Sequence, residues 1–153
     1  MKSTSGTIPQ KLDAIIEEFQ FCEGREKLEL LIQYAQNLAP LPAWLVDHRD
    51  HMESVPECMT PVFVQAESDN GKMFFHFDVP AESPMVRGFA AFMKQGIDGS
   101  TPEEVLQIPG DFYQDMDLQS VLTHQRLNGL SAILAHMKQI AVKSLETKEE
   151  AQL

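Results

Sequence analysis

The chain opens with two runs of apolar residues at helical spacing. The first run recurs at i, i+3, i+4 and i+7 and consists of Leu12, Ile15, Ile16 and Phe19. The second run has the same period and consists of Leu28, Leu31, Ile32, Ala35 and Leu38. These runs predict two short amphipathic helices, separated at Gly24 and packed antiparallel, the second spanning 25–38. Pro40 and Pro42 end it, because proline cannot donate a backbone N–H.

A period of two replaces the helical period after residue 61. The alternating runs 62–66 and 73–77 flank Asn70-Gly71, and Asn-Gly is the strongest short signal for a hairpin turn. The pattern predicts a β-hairpin, with a weaker third strand over 52–55. Between the helices and the hairpin, 40–61 is the longest stretch without periodicity, and long loops in compact domains are often functional.

The second half of the chain is again helical in pattern. Ser83-Pro84 predicts the cap and first residue of a helix that ends near Gly96. A capping box at 101–104 begins a short helix, and 112–122 has room for one or two further turns. Thr123 caps a long last helix, before a polar tail over about 146–153. Segregated rather than alternating elements indicate an α+β fold, a small antiparallel sheet covered by helices.

The composition favours one folded unit over 1–153 with a polar lead at about 1–8. Of its 153 residues 43% are apolar and 23% charged, a globular balance. The net charge of −11 disfavours nucleic acid and anionic lipid as partners. Two cysteines 36 positions apart form neither a disulfide framework nor a CxxC motif. With no signal peptide and no run long enough to span a membrane, we expect a cytoplasmic protein.

The signatures of common cofactor enzymes are absent from the sequence. It contains no GxGxxG, GxxxxGK[ST], GxSxG or HExxH pattern. His48 and His51, each beside an aspartate, could supply metal ligands, but a site needs three or four converging groups, so we expect a solvated loop and no metal. His124 and His136 are expected on helix surfaces. Cys22, at the end of the first helix, is expected to be a small buried apolar residue.

Cys58 is the more promising cysteine, since it lies where the irregular stretch meets the first hairpin strand. A loop cysteine can present its sulfur to another protein. It can equally fill a pocket under the loop, and the neighbouring Glu57 raises a thiol pKa rather than lowering it. The residues alone leave both interpretations open.

Five segments resemble the SufE family of sulfur-acceptor proteins in iron–sulfur cluster assembly. They follow the family's order over nearly the whole chain and are LAPLP at 38–42, VPECMTPV at 55–62, MVRGF at 85–89, GSTPEEVL at 99–106 and RLNGL at 126–130. The resemblance implies the SufE/IscU-like fold, which is α+β with a small antiparallel sheet. That fold agrees with the one predicted from periodicity.

The resemblance also implies a function for Cys58, as the cysteine that carries a persulfide. It would take sulfur from a SufS-like, pyridoxal-phosphate-dependent cysteine desulfurase, stimulate that enzyme, and pass the sulfur to a SufBCD-like scaffold without a cofactor of its own. The residues expected to shape the loop or the docking of a partner are Glu57, Met59, Thr60, Arg87, Arg126 and Asn128. Arg87 and Arg126 are candidates for offsetting the charge of Glu57, which stands where the family usually has Gly.

Two other functions stay open at this point. One is a cysteine-dependent enzyme in which His48 or His51 acts as the base for Cys58, because nucleophilic catalysis needs a thiol and an imidazole within hydrogen-bond reach. The other is a non-catalytic adaptor that keeps the SufE-like shape while Cys58 is inert.

Overall fold

The structure, a computed structural model, describes residues 7–152 and the side chains of 7–147. Its helices are α1 (Gln10–Gln20), α2 (Arg25–Gln36), α3 (Ala43–Val46), α4 (Pro84–Ile97), α5 (Pro102–Leu106) and α6 (His124–Gln152). The strands are β1 (Glu53–Ser54), β2 (Phe63–Asp69) and β3 (Lys72–Asp78), in one antiparallel sheet of that order. The α+β fold is the one predicted, including the third strand.

The hairpin of β2 and β3 forms the centre of the sheet. Its turn residues, Asn70 with φ 54° and Gly71 with φ 80°, both take the left-handed conformation that a two-residue turn of type I′ requires. Val64, Phe75 and Phe77 point from one face into the core and are at most 3% exposed. The alternation predicted from the sequence is confirmed, with one face of the sheet buried under the helices.

α4 is the central helix, and it is the main packing partner of both α1 and α2. Two glycines allow this close approach: a Cβ at Gly88 would lie 2.5 Å from the carbonyl oxygen of Leu31, and one at Gly96 would lie 2.8 Å from Cα of Leu12. The prediction that α1 and α2 pack against each other is therefore wrong, because the main partner of each helix is α4.

The buried face of α2 differs from the one predicted by its apolar period. Lys27 and Tyr34 are buried on it, while Ile32 is 36% exposed. The reason is tertiary: Lys27 Nζ donates a hydrogen bond to the carbonyl oxygen of Phe19, at 2.6 Å, in the last turn of α1. A lysine with a buried aliphatic stem can satisfy the free carbonyls at a helix end.

The outer edge of β3 is covered by the end of α4. Asp98 accepts a hydrogen bond from the Phe75 N–H at 2.7 Å, and Lys94 Nζ lies 2.5 Å from the Phe75 carbonyl oxygen. Gly99 and Ser100 continue the pairing through backbone hydrogen bonds with Met73. The main-chain groups of Met73 and Phe75 at this edge are thus paired inside the molecule and are not open to another strand.

Several local expectations are corrected. Ser83 precedes α4 but its side chain makes no capping hydrogen bond. The stretch 40–61 is only partly irregular, since it contains α3, a 3₁₀ turn (Arg49–His51) and β1. α6 continues to Gln152 through the segment expected to be a tail, and Ile8, in the expected polar lead, is buried. Within that lead, 1–6 lie outside the described residues. The capping box of α5 is confirmed, with both of its hydrogen bonds present.

Candidate functional site

Cys58 lies in the loop 55–62, which joins β1 to β2. The loop is closed at its neck by a hydrogen bond of 2.9 Å from the Val55 N–H to the Val62 carbonyl oxygen, and both valines are 1% exposed. The Cys58 N–H then donates to the Val55 carbonyl oxygen at 3.2 Å, which makes a turn with Pro56 in its second position. Proline favours that position because its φ is already set. The local sequence thus places the thiol beyond a buried, hydrogen-bonded neck.

Three side-chain contacts hold this loop against the helices. Thr60 Oγ1 lies 2.6 Å from Ser83 Oγ, so the Ser83 side chain, just before α4, contacts the loop and does not cap that helix. On the α6 side, Met59 contacts Gln125. Glu57 Oε1 lies 3.1 Å from Nε2 of His136, further along the same helix. The loop is therefore bridged to two helices that are distant from it in sequence.

The Cys58 thiol is half-buried beside a helical glycine. Its Sγ lies 3.6 Å from the Gly129 carbonyl oxygen, and a Cβ at Gly129 would come within 3.3 Å of the sulfur. The thiol also lines a cavity of about 540 Å³, whose other walls include Met85 of α4 and Arg126 of α6. Glycine at position 129 makes the space in which the sulfur lies.

Burial, first, and the charge of Glu57, second, raise the pKa of the Cys58 thiol to about 11. Both effects disfavour the thiolate, because a low-polarity environment and a nearby negative charge each destabilise an anion. Glu57 itself is more than half exposed, and a hydrogen bond from its own backbone N–H, with His136 next, lowers its pKa. Cys58 in the free protein is thus a protonated, sheltered thiol beside an ionised carboxylate.

His136 also belongs to this site, although the sequence predicts it on the surface of the last helix. Its side chain is 12% exposed and lies between Glu57 and Glu53, with Nδ1 3.1 Å from Glu53 Oε1. No local signal predicts this contact, because 79 positions separate Glu57 from His136. Only the packing of α6 against the β1–β2 loop brings them together.

The other candidate residues divide between the site and its surroundings. Met59, 78% exposed, and Thr60 line the Cys58 cavity with Arg126. Arg87 does not: its Nη1 donates to the Val79 carbonyl oxygen at 2.7 Å and lines a separate recess. Asn128 is exposed on α6, outside the cavity lining. The contact of Glu57 is therefore with His136, and Arg87 is not placed to offset its charge.

His48 and His51 lie on an exposed turn before β1. Their rings stack at 5.1 Å, and with Asp50 they offer metal-ligand atoms within 4.8 Å of one another. All three side chains are exposed. Neither imidazole lines the Cys58 cavity, so the arrangement needed for a Cys58–His48 or Cys58–His51 enzyme is not formed.

Cys22 follows α1 and is only partly buried, which corrects the expectation of a buried apolar residue. Its partial burial, and next the carboxylate of Glu26, raise the pKa of its thiol. Cys22 does not line the cavity that holds Cys58.

Among the described residues, no helix is both long and apolar enough to cross a membrane.

Together, the fold and site define a class: small α+β proteins that hold one sheltered cysteine in a loop between two strands. The family model described as SufE, Fe-S metabolism associated domain, matches residues 13–141. The chain belongs to the SufE family.

Relatives from several organisms support this assignment. An uncharacterised SufE-like protein of Mycobacterium tuberculosis is 37% identical over 133 residues, which cover 86% of this chain and 92% of that protein. SufE-like protein 1 of Arabidopsis thaliana, chloroplastic/mitochondrial, is 32% identical over 94% of this chain and 38% of its own length. The solution structure of a hypothetical protein from Thermus thermophilus has a TM-score of 0.80 at 34% identity, covering 91% of this chain and 98% of that one.

Proposed function

We propose that this protein accepts a sulfur atom on Cys58 from a cysteine desulfurase and passes it to an iron–sulfur cluster scaffold. The observation that carries the proposal is the position of Cys58, in a loop whose neck is buried and hydrogen-bonded, in a chain whose family is associated with Fe–S metabolism. Stimulation of the desulfurase follows from the same step, since removal of its persulfide frees the enzyme for another turnover.

The transfer is a thiol exchange at sulfur. The Cys58 thiolate attacks the outer sulfur of a persulfide on the desulfurase, a new S–S bond forms at Cys58, and the desulfurase cysteine leaves with the electron pair of the bond that breaks. One thiol and one persulfide enter, and one thiol and one persulfide leave. The exchange needs no external oxidant or reductant.

The sheltered thiol suits a carrier that must not react before it meets its partner. With a pKa of about 11, roughly one Cys58 in ten thousand is a thiolate at neutral pH. That protects it from oxidation, which follows thiolate character and exposure. Docking has to draw the sulfur away from Gly129, and relief of burial then lowers the pKa at the moment of attack.

The proposal also covers the cofactor, the cellular location and the partners of the transfer. Pyridoxal phosphate belongs to the desulfurase, so the carrier itself requires no cofactor. Both cysteines are free thiols, as expected for the cytoplasmic location proposed here. A SufS-like enzyme and a SufBCD-like scaffold are the proposed partners.

Intact-mass spectrometry tests the proposal. After incubation with a cysteine desulfurase, cysteine and pyridoxal phosphate, we expect a gain of about 32 Da, one sulfur atom, on Cys58. The Cys22→Ser variant should retain the gain and Cys58→Ser should lose it.

An unmodified Cys58 in a protein that still binds the desulfurase would contradict the proposal. It would favour the adaptor function, for which the raised thiol pKa is the supporting observation.

A further inference from the structure

His136, on α6, contacts both ends of the segment 53–57, which precedes Cys58. Its Nδ1 lies 3.1 Å from Oε1 of Glu53 on β1, and its Nε2 lies 3.1 Å from Oε1 of Glu57, the residue before Cys58. The imidazole is largely buried, with 12% of its side chain exposed. Each ring nitrogen therefore has a carboxylate oxygen as its partner.

Both contacts can be hydrogen bonds donated by the ring in only one of its protonation states. A neutral imidazole has a single N–H, so one nitrogen would turn a lone pair towards a carboxylate oxygen. An imidazolium donates from both nitrogens, and hydrogen bonds between charged partners are stronger than neutral ones. The two distances, both 3.1 Å, are ones that an imidazolium satisfies at both nitrogens and a neutral ring satisfies at one.

Two carboxylates contact the ring, and an ammonium group contacts one of those carboxylates. Glu53 approaches from β1 and Glu57 from the Cys58 loop, so two carboxylates meet one imidazole. The opposing charge comes from Lys143, further along α6, whose Nζ lies 3.8 Å from the other oxygen of Glu53. Lys143 is 69% exposed, so solvent screens its effect on the ring.

We infer that His136 is a positioning residue whose imidazolium holds Glu57 against α6 and thereby keeps the Cys58 thiol in its sheltered place beside Gly129. When the ring loses a proton, one of its two hydrogen bonds is lost and the loop can move away from the helix. Access to Cys58 then increases as imidazole titrates, over and above the increase in thiolate. The inference rests on the proposed function in one respect: the movement of the loop controls when the sulfur acceptor is exposed only if Cys58 is that acceptor.

The pH profile of Cys58 alkylation tests this inference. In a Cys22→Ser background, the rate of reaction with iodoacetamide is followed by mass between about pH 5 and pH 9, the range in which histidine titrates. Thiolate formation alone raises the rate about tenfold per pH unit below the thiol pKa. We expect the protein with His136 to show a steeper rise within that range, because opening of the loop adds to ionisation.

Two substitutions at His136 test whether its positive charge keeps Cys58 sheltered. In His136→Gln, which has no titrating ring, we expect a rise of about tenfold per unit throughout and a rate about tenfold above the unsubstituted protein near pH 5.5. Loss of the positive charge by itself disfavours the Cys58 thiolate and slows alkylation. A faster rate in this variant therefore indicates that the loop has opened. His136→Lys keeps a charge that does not titrate below pH 9, and we expect slow alkylation without the extra steepness.

His76→Gln is the matched control. His76 is 13% exposed and contacts Glu67 at 2.7 Å on the hairpin, so its substitution removes a similar histidine–carboxylate contact remote from Cys58. We expect it to leave the steep profile unchanged. Parallel profiles for the unsubstituted protein and His136→Gln would overturn the inference.

A second measurement uses the unsubstituted protein and so does not depend on folding of the variants. The nitrogen-15 chemical shifts of the His136 ring at about pH 6 should show both nitrogens protonated, and a singly protonated ring would overturn the inference. Neither experiment involves a desulfurase. Failure of sulfur transfer with a steep alkylation profile would therefore reject the proposed function and keep the inference.

Discussion

At the scale of single residues, the site combines a thiol with the space that a glycine leaves for it. Gly129 is in the interior of α6, where glycine is unfavourable relative to alanine by about 1 kcal/mol. In return, Gly129 gives the Cys58 thiol its place: the Gly129 carbonyl oxygen lies 3.6 Å from Sγ, and no side chain occupies the space beside the sulfur. The residue therefore shelters the thiol while weakening the helix.

Gly129→Ala should release Cys58 without destabilising the protein. A Cβ 3.3 Å from the sulfur forces the thiol to move by a few tenths of an ångström, while alanine favours the helix. We expect faster iodoacetamide alkylation of Cys58 and a free energy of unfolding in urea that is unchanged or higher. Ala135→Gly, at an exposed position of α6, is the control: it should weaken the helix and leave alkylation as it was. An alkylation rate unaffected by Gly129→Ala would contradict this role.

The raised pKa of Cys58 predicts a loss of stability at alkaline pH. An unfolded chain releases the thiol proton near pH 9 and the folded protein near pH 11, so the unfolded state gains from ionisation first. The contribution of Cys58 is complete below pH 9 and is lost as pH rises through 11; because the group is only half-buried, we expect a decrease of about 1 kcal/mol. Urea unfolding of the protein and of Cys58→Ser under reducing conditions measures it. Equal pH dependence in the two proteins would show that the thiol is not perturbed.

At the scale of elements, α4 organises the fold because α1, α2, α6 and the sheet all meet it. Its buried residues extend around much of its circumference, as expected of a helix surrounded by partners. The close approach of α2 at Gly88 leaves no room for a side chain there. Ser83, just before the first residue of α4, holds the Cys58 loop through Thr60.

Gly88→Ala should destabilise the fold. The new Cβ would meet the Leu31 carbonyl oxygen at 2.5 Å, and backbone cannot move aside as a side chain can. Overpacking costs about 1–3 kcal/mol, which exceeds the gain in helix propensity of about 1 kcal/mol. We expect a lower urea midpoint, measured by circular dichroism. Gly110→Ala, where a Cβ would have open space, is the control and should leave the midpoint nearly unchanged.

At the scale of the whole molecule, the net charge of −11 influences how the protein meets a partner. Exposed charges act over about 10 Å at moderate ionic strength and mainly affect the rate of encounter. For a cysteine desulfurase with a basic docking surface, we expect the association rate to fall about tenfold between low and high salt. Stopped-flow mixing with the Cys22→Ser protein measures this rate. A rate independent of salt would indicate apolar docking, for which the exposed Met59 beside Cys58 is the nearest candidate.

The sequence by itself determined the elements whose signals are local. Asn70-Gly71 sets the hairpin turn, and the capping box at Thr101 sets the start of α5, because these interactions involve residues within four positions of each other. The alternation over 62–66 and 73–77 likewise predicted the two strands of the hairpin. The sequence also made Cys58 the candidate site residue, by its place in the loop and by resemblance to a family.

The tertiary structure alone decided which side chains surround that cysteine. Ser83 has the sequence position of a helix cap, but its hydroxyl contacts Thr60 and makes no capping hydrogen bond. Arg87 was a candidate partner for Glu57 but lies with Val79, while His136 takes the place beside Glu57. A periodic pattern reports contacts within a turn or a strand pair, whereas contacts across 79 positions depend on how α6 packs against the β1–β2 loop. The chemistry of Cys58 is set by that packing.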